Sequence, residues 1–97
     1  MTQMTIVWSQ TAKDSFYAHL EYLIARTPSG ARAVNSAVMQ AIRHLESTPF
    51  MGRPGRWENT RELVIDKYPY IVAYRLNVDF IEILYIHHTR QEWPSIE

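Results

Sequence analysis

The hydrophobic pattern of the first half of the chain predicts one short strand followed by two helices. Residues 4–8 are mostly apolar, β-branched or aromatic, which is typical of a strand. Two segments with apolar residues at helical spacing follow, divided by Thr27-Pro28. The apolar face of the first helix comprises Ala12, Phe16, Leu20, Leu23 and Ile24, and that of the second, over about residues 29–45, comprises Val34, Val38, Ala41, Ile42 and Leu45.

Polar residues at the ends of these segments indicate where the helices begin and end. Ser9 and Thr11 are both candidate N-caps for the first helix, and Thr11 with Asp14 resembles a capping box. A Thr48-Pro49 step ends the second helix. Because only a turn separates the two helices, we expect an antiparallel hairpin whose shared apolar stripe needs a flat surface to cover it.

The second half of the chain predicts a sheet. Residues 50–59 contain turn formers and no hydrophobic period, which indicates a loop. Three strand-like runs follow at residues 60–65, 70–76 and 80–87, and their short links make them an antiparallel meander. The predicted fold class is therefore α+β in the order β-α-α-β-β-β, with the helical hairpin packed on an antiparallel sheet. Without a repeat or a second domain boundary, residues 1–97 are expected to form a single domain.

The composition fits one globular domain and excludes several kinds of site. The chain has 97 residues, of which 46% are hydrophobic, and it has no Cys, so a disulfide scaffold and a thiolate zinc site are excluded. The first residues lack the basic and apolar regions of a signal peptide, and no apolar stretch approaches the roughly 20 residues that span a bilayer. We therefore expect a cytoplasmic protein without a membrane-spanning segment.

The charges are balanced overall but clustered locally. Ten basic and ten acidic residues give a formal net charge of zero, which argues against sequence-independent binding to nucleic acid. The densest cationic run is Arg53, Arg56 and Arg61, with Glu58 and Glu62 interleaved. A mixed patch of this kind suits a defined protein contact better than a polyanion groove.

The histidines do not form a metal-binding pattern. His87 and His88 are neighbours on a predicted strand, so their side chains point to opposite faces and cannot chelate one ion together. Structural or surface roles are the better interpretation of this pair. His19 and His44 lie on separate helices, and we expect both on solvated faces. We predict no metal and no cofactor.

Two alternatives stay open for the polar residues of the last strands. His88 with nearby arginines is a candidate general acid–base site for RNA cleavage. Arg75 and Glu82, on adjacent antiparallel strands, equally fit a cross-strand ion pair.

The three tryptophans are predicted to have different roles. Trp8, in a strand, is expected in the core. Trp57, in the Arg-rich loop, fits a core residue and a partner anchor equally well. Trp93 precedes Pro94 and is expected to pack the C-terminal end of the chain back onto the sheet.

Sequence blocks spread over the second half of the chain carry a family resemblance. The blocks are Met51-Gly-Arg-Pro-Gly-Arg, Thr60-Arg-Glu-Leu-Val-Ile, Tyr70-Ile-Val-Ala-Tyr-Arg, Ile81-Glu-Ile-Leu and His88-Thr-Arg-Gln-Glu-Trp-Pro. In order, spacing and residue type they resemble the RelE/ParE superfamily of bacterial type II toxin–antitoxin toxins, and the helix pattern and the Pro49 stop extend the resemblance to the first half. The resemblance implies a compact toxin held silent by an antitoxin encoded beside it.

The superfamily has two branches with different targets. RelE-like members cleave messenger RNA in the ribosomal A site, whereas ParE-like members inhibit DNA gyrase and trap it on cleaved DNA. Here Tyr70 stands where RelE-like nucleases usually carry an Arg, and Gly55 stands where some carry a general-base Glu. His88 does match a catalytic His of some nuclease relatives, but the neutral charge and the C-terminal block favour a ParE-like, non-enzymatic gyrase inhibitor.

The resemblance implies different site residues for each hypothesis. For the gyrase inhibitor, the residues expected to contact gyrase or the antitoxin are Arg53, Arg56, Trp57, Arg61, Arg90 and Trp93. For the alternative, a ribosome-dependent mRNA endonuclease, the catalytic residues are Arg61, Arg75, His88 and Arg90. Tyr85 and His87 depart from the ParE-like pattern, which leaves open a third hypothesis, a non-toxic relative that only binds antitoxin. None of the three implies a membrane, or direct DNA binding outside the antitoxin complex.

Overall fold

The computed structural model describes residues 3–95, which form two helices and five strands. In chain order the elements are β1 (Thr5–Trp8), α1 (Gln10–Arg26), α2 (Pro28–Leu45), β2 (Arg53–Pro54), β3 (Thr60–Val64), β4 (Tyr70–Leu76) and β5 (Phe80–His88). The predicted α+β fold, with a helical hairpin packed on a sheet, is confirmed. Neither helix of this part of the chain is long and apolar enough to cross a membrane.

The sheet has the order β1-β5-β4-β3-β2 and is mixed rather than wholly antiparallel. Strands β3, β4 and β5 form the predicted antiparallel meander, whereas β1 lies parallel to β5. The short strand β2 pairs with β3, and Arg53 lies opposite Glu62. The prediction of a loop over residues 50–59 is wrong for residues 53–54, because a strand of two residues has no hydrophobic period to detect.

Helix α1 begins directly where β1 ends. Of the two candidate N-caps, Ser9 is the one used, and its Oγ accepts a hydrogen bond from the Ala12 N–H at 3.0 Å. Thr11 lies inside the helix, so the capping box of Thr11 and Asp14 is wrong. The Asp14 carboxylate instead accepts a hydrogen bond at 2.9 Å from the side-chain amide of Gln10, one turn earlier on the helix.

Thr27 both ends α1 and begins α2. Its N–H donates to the Leu23 carbonyl at 2.6 Å, which closes the last turn of α1. Its Oγ1 accepts from the Gly30 N–H at 3.1 Å, which caps α2. Pro28 then takes the first position of α2, where its missing N–H would have no partner within the helix.

The apolar core lies between the hairpin and one face of the sheet. Its buried side chains come from both layers and include Phe16, Val34, Val38, Ile42, Leu45, Leu63, Val72, Ile83 and Ile86. Trp8 is half-buried against this core, with its ring 5.7 Å from that of Phe16. The helical spacing predicts Ile24 on the buried face of α1, but its exposed fraction is 56%, so that prediction is wrong. Leu23 faces the core, and the next residue is rotated by about 100° around the helix.

Candidate protein-binding face

One face of the sheet is left uncovered by the helical hairpin, and we call it the open face. Side chains alternate between the two faces of a strand, and those of Leu63 and Val72 lie in the core, so their neighbours point away from the hairpin. A β-bulge beside Ala73 shifts the register of β5 and so brings Tyr85 and His87 to this face. The open face carries Glu62, Ala73, Arg75, Glu82, Tyr85 and His87.

The chain after β5 returns over the open face through Trp93. The indole of Trp93 stacks on the His87 imidazole, with ring centroids 3.8 Å apart and an angle of 17° between the planes. Trp57 packs edge-on against the same indole, with the centroids 5.3 Å apart. The expected packing of Trp93 onto the sheet is confirmed. Trp57 packs on Trp93, so the two indoles form one aromatic group on the open face.

The carboxylate of Glu62 organises the arginines beside this cluster. Glu62 is buried, and its Oε1 accepts hydrogen bonds from Nε and Nη2 of Arg53 at 3.2 and 3.1 Å. Its Oε2 accepts from the backbone N–H of Arg56 at 3.0 Å and lies 3.7 Å from that side chain's Nε. A buried carboxylate with several charged and backbone donors is stable only while those donors stay in place. Glu62 therefore fixes the positions of both arginines.

Arg56 connects the arginine group to the aromatic group. Its guanidinium lies 4.2 Å from the centre of the Trp93 ring, a cation–π contact. The side chains of Arg53 and Arg56 nevertheless remain 56% and 48% exposed. We call Arg53, Arg56, Trp57 and Trp93 the Arg–Trp cluster. It presents two half-exposed cations beside two partly buried indoles.

Arg75 and Arg61 lie outside this cluster. Arg75 faces Glu82 across β4 and β5, with Nη1 3.9 Å from Oε1, so the cross-strand ion pair is confirmed. Arg61 follows Thr60 and precedes Glu62, and therefore points to the helix side of the sheet. Its Nη1 donates to the carbonyls of Gly52 at 2.6 Å and Phe50 at 3.3 Å.

From inside the core, the Tyr74 side chain binds the same backbone segment, residues 49–52, that Arg61 contacts. Its hydroxyl donates to the Pro49 carbonyl at 2.8 Å and accepts from the Gly52 N–H at 2.9 Å. A Cβ at Gly52 would lie 2.6 Å from that hydroxyl oxygen, so the close approach requires glycine. Burial raises the pKa of the Tyr74 phenol, which stays neutral at physiological pH. Together with Arg61, Tyr74 anchors the turn that leads into β2.

His87 is buried beneath Trp93. Its exposed fraction is 2%, and among residues 3–95 its Nδ1 has no hydrogen-bond partner. Burial lowers the pKa of His87, and the positive charge of Arg56 lowers it further. The imidazole under the indole is therefore neutral at physiological pH. Its burial agrees with a structural role, one of the two roles expected for His87.

His19 and His88 meet on the other side of β5. The His19 ring lies 5.2 Å from that of Tyr70 and 5.9 Å from that of His88, so the prediction that His19 lies on a solvated face is wrong. The error arises because α1 crosses the end of β5, a contact that helical periodicity does not reveal. Burial, followed by the nearby His88, lowers the pKa of His19. His44 is exposed, as predicted.

The structure gathers four of the six predicted contact residues. Arg53, Arg56, Trp57 and Trp93 form the Arg–Trp cluster, while Arg61 points to the helix side and Arg90 lines a cleft near His88. Glu62 and His87 hold the cluster together but were not among the predicted site residues. The available signal for Glu62 is the alternation of side chains along β3. Arg61 and Leu63 point to the helix side, so Glu62 points to the open face.

The four residues of the nuclease hypothesis do not converge on one point. Arg75 lies on the open face and Arg61 on the helix side, while His88 and Arg90 line the cleft at the end of β5. Arg75 is opposite Glu82, and His88 is six positions after Glu82 along β5, a distance of about 20 Å. In the described part of the chain, no group of three His, Cys, Asp or Glu side chains is placed to hold a metal.

Comparisons with known proteins agree with this architecture. Residues 6–93 match the family described as the ParE toxin of type II toxin-antitoxin system, parDE. The protein named "Putative toxin Y4kP" from Sinorhizobium fredii (strain NBRC 101917 / NGR234) is 35% identical over 96 residues, which cover 99% of each chain. A solved structure titled "Chromosomal ParDE TA system from P. aeruginosa" has the same fold, with a TM-score of 0.79. The match covers 89% of this chain and 96% of that one, at 20% identity.

Proposed function

This chain belongs to the family of ParE toxins of type II toxin–antitoxin systems, and from that premise we propose that it is a single-domain toxin that inhibits DNA gyrase and is neutralised by a cognate antitoxin. The proposed mode of action is non-enzymatic binding through the open face of the sheet. Because gyrase acts on bacterial DNA, the proposed site of action is the cytoplasm.

The observation that carries this proposal is the Arg–Trp cluster around the buried carboxylate of Glu62. Arginine and tryptophan are the residue types that most often dominate protein–protein contacts. Side chains that are already held in place lose little conformational freedom when a partner binds. Arg53 and Arg56 are both half exposed and both tied to Glu62, so the cluster supports a preformed contact surface for a folded protein.

Two further observations favour binding over RNA cleavage. A net charge of zero gives the chain no general attraction to the phosphates of a ribosome. The nuclease would require Arg61, Arg75 and His88 around one phosphate, but Arg61 and Arg75 line one hollow and His88 lines another. A toxin that acts by occupying a surface of its target requires no such convergence.

We place the antitoxin on the helical hairpin, on the opposite side of the sheet from the Arg–Trp cluster. Tyr17, Tyr22 and Ile24 on α1 are 60%, 58% and 56% exposed. Beside Tyr17 lies a groove of about 370 Å³, and its walls are Trp8, Lys13, Phe16, Tyr17, Leu20, Asn35 and Met39. Exposed apolar surface of this kind marks contact sites, and a disordered antitoxin segment that folds along α1 would bury it.

The gyrase contact is tested with a pair of matched double variants. Arg53→Gln/Arg56→Gln removes two cations from the Arg–Trp cluster, and Arg32→Gln/Arg43→Gln removes two exposed cations from α2. Loss of a charged hydrogen bond costs about 1.5–3 kcal/mol, so the first variant is expected to inhibit supercoiling at least about tenfold more weakly. The second should match the wild type. Circular dichroism melts establish that both variants are folded.

The antitoxin contact is tested with Tyr17→Glu/Ile24→Glu. Two carboxylates on the exposed side of α1 should weaken antitoxin binding without changing the inhibition of gyrase. The Arg53→Gln/Arg56→Gln variant should show the reverse pattern. If the cluster variant inhibits gyrase fully, or if both variants lose both activities while folded, the assignment of two separate surfaces is wrong.

A further inference from the structure

A cleft forms where β5 extends beyond β1. Strand β1 pairs only with the part of β5 from Phe80 to Ile83, and α1 crosses the remaining edge, where Ser15 Oγ accepts from the Ile86 N–H at 3.1 Å. The cleft next to this crossing has a volume of about 590 Å³. Its walls include His19, Tyr22, Tyr70, His88, Arg90 and Gln91.

Two imidazoles are held against a buried tyrosine at the base of this cleft. The rings of His19 and His88 lie 5.2 and 5.1 Å from the Tyr70 ring, both edge to face. Tyr70 is only 4% exposed, and both imidazoles pack on its ring. The centroids of the two imidazoles lie 5.9 Å apart.

The hydrogen bonding of His88 makes its ring a donor. The backbone N–H of Arg90 donates to Nδ1 of His88 at 3.1 Å, so in the neutral imidazole the proton resides on Nε2. A metal ion would need a lone pair on Nε2, whereas a ligand with an oxygen acceptor can take the proton as a hydrogen bond. The arrangement favours an anion over a metal ion.

The charge of the cleft points in the same direction. Its lining includes one cation, Arg90, and none of the ten lining residues from the described part of the chain is acidic. This is a local excess in a chain with ten basic and ten acidic residues. The Gln91 amide adds further donor capacity at the rim.

The size and aromatic lining of the cleft indicate more than a simple anion. Clefts of roughly 300–1,000 Å³ hold small organic ligands, and this one is larger than a phosphate ion requires. The ring of Tyr22 is 58% exposed, with Arg26 held over it at 4.0 Å, and Tyr85 also lines the cleft. Exposed aromatic rings beside cations are the combination that stacks nucleobases and binds their phosphates.

We propose that this cleft is a binding site for a nucleoside monophosphate, with the phosphate at His88 and Arg90 and the base against Tyr22. Binding is non-covalent, and none of the four residues of the Arg–Trp cluster lines the site. The proposal does not depend on gyrase inhibition, so either can fail without the other.

The test is an NMR titration of the full chain that follows the imidazole resonances. Adenosine monophosphate is expected to shift the signals of His19 and His88 in a saturable manner and to leave exposed His44 on α2 unchanged. Inorganic phosphate and adenosine, titrated separately, should each bind more weakly than the nucleotide. A phosphorylated single-stranded oligonucleotide is titrated in parallel to show whether the cleft prefers a free nucleotide or the end of a strand. Saturable binding of either ligand supports a nucleotide-binding site in the cleft.

Variants locate the contacts. Arg90→Gln and His88→Ala should each weaken nucleotide binding about tenfold, the effect of one lost charge-assisted hydrogen bond. Arg32→Gln, on exposed α2, should bind as the wild type does. The proposal is overturned if neither nucleotide nor oligonucleotide saturates, if His44 shifts as much as His88, or if folded Arg90→Gln binds with unchanged affinity.

Discussion

The indole of Trp93 lies flat on the imidazole of His87, with ring centroids 3.8 Å apart and 17° between the ring planes. This contact brings the segment after β5 over the open face and completes the Arg–Trp cluster, because Arg56 and Trp57 both pack on the same indole. The proposed target surface therefore depends on a residue outside the regular secondary structure.

Replacement of Trp93 should destabilise the fold as well as the cluster. Trp93→Ala removes the stack on His87 and is expected to lower the free energy of unfolding by about 1–3 kcal/mol. Trp93→Phe keeps an aromatic ring and should lose less. Chemical denaturation measures both, and a Trp93→Ala chain as stable as the wild type would show that the stack contributes nothing.

Replacement of Glu62 should release both arginines. Glu62→Gln keeps the shape of the side chain but removes the buried charge that binds Arg53 and Arg56, at a cost of about 1–3 kcal/mol. Glu58→Gln is a matched control because Glu58 is exposed in the preceding loop. Equal unfolding free energies for the two variants would contradict the organising role of Glu62.

Acid should weaken the fold through His87. The folded pKa of His87 lies below the ordinary value of 6.5, first because of burial and then because of Arg56. The folded state therefore binds the proton less readily than the unfolded state, and stability is lost as the pH falls through and below about 6.5. His87→Phe should lose less stability over this range, with a residual dependence from His19, whereas His44→Gln should follow the wild type. Identical pH profiles for all three chains would remove His87 from this effect.

The start of α1 offers a direct comparison of two neighbouring positions. Ser9→Ala removes the N-cap and should lower the free energy of unfolding by about 1 kcal/mol. Thr11→Ala should cost much less, because Thr11 lies within the helix and is exposed. Thermal melts of the two variants decide the point, and a larger loss for Thr11→Ala would mean that the cap is misassigned.

Local sequence signals predicted the layers of the fold but not the contacts between distant segments. Helical spacing identified the buried positions of Phe16 and Val38, and the short links between the last strands predicted their antiparallel pairing. The parallel pairing of β1 with β5 joins residues more than 70 positions apart, and the packing of His19 on Tyr70 and His88 depends on that arrangement. No short pattern carries such information.

The candidate site was predicted in part for the same reason. Residue type drew attention to Arg53, Arg56, Trp57 and Trp93, and the structure brings these four together. Glu62, which positions both arginines, appears in the sequence only as one of several interleaved acids. Its importance follows from its burial, which depends on the pairing of β2 with β3.

The proposed inhibition is tested by a gyrase supercoiling assay with the purified chain. We expect that the chain inhibits supercoiling, that linear cleaved DNA accumulates, and that added antitoxin reverses both effects. Unimpaired supercoiling and no linear DNA, even at high molar excess of folded chain, would contradict the proposed inhibition.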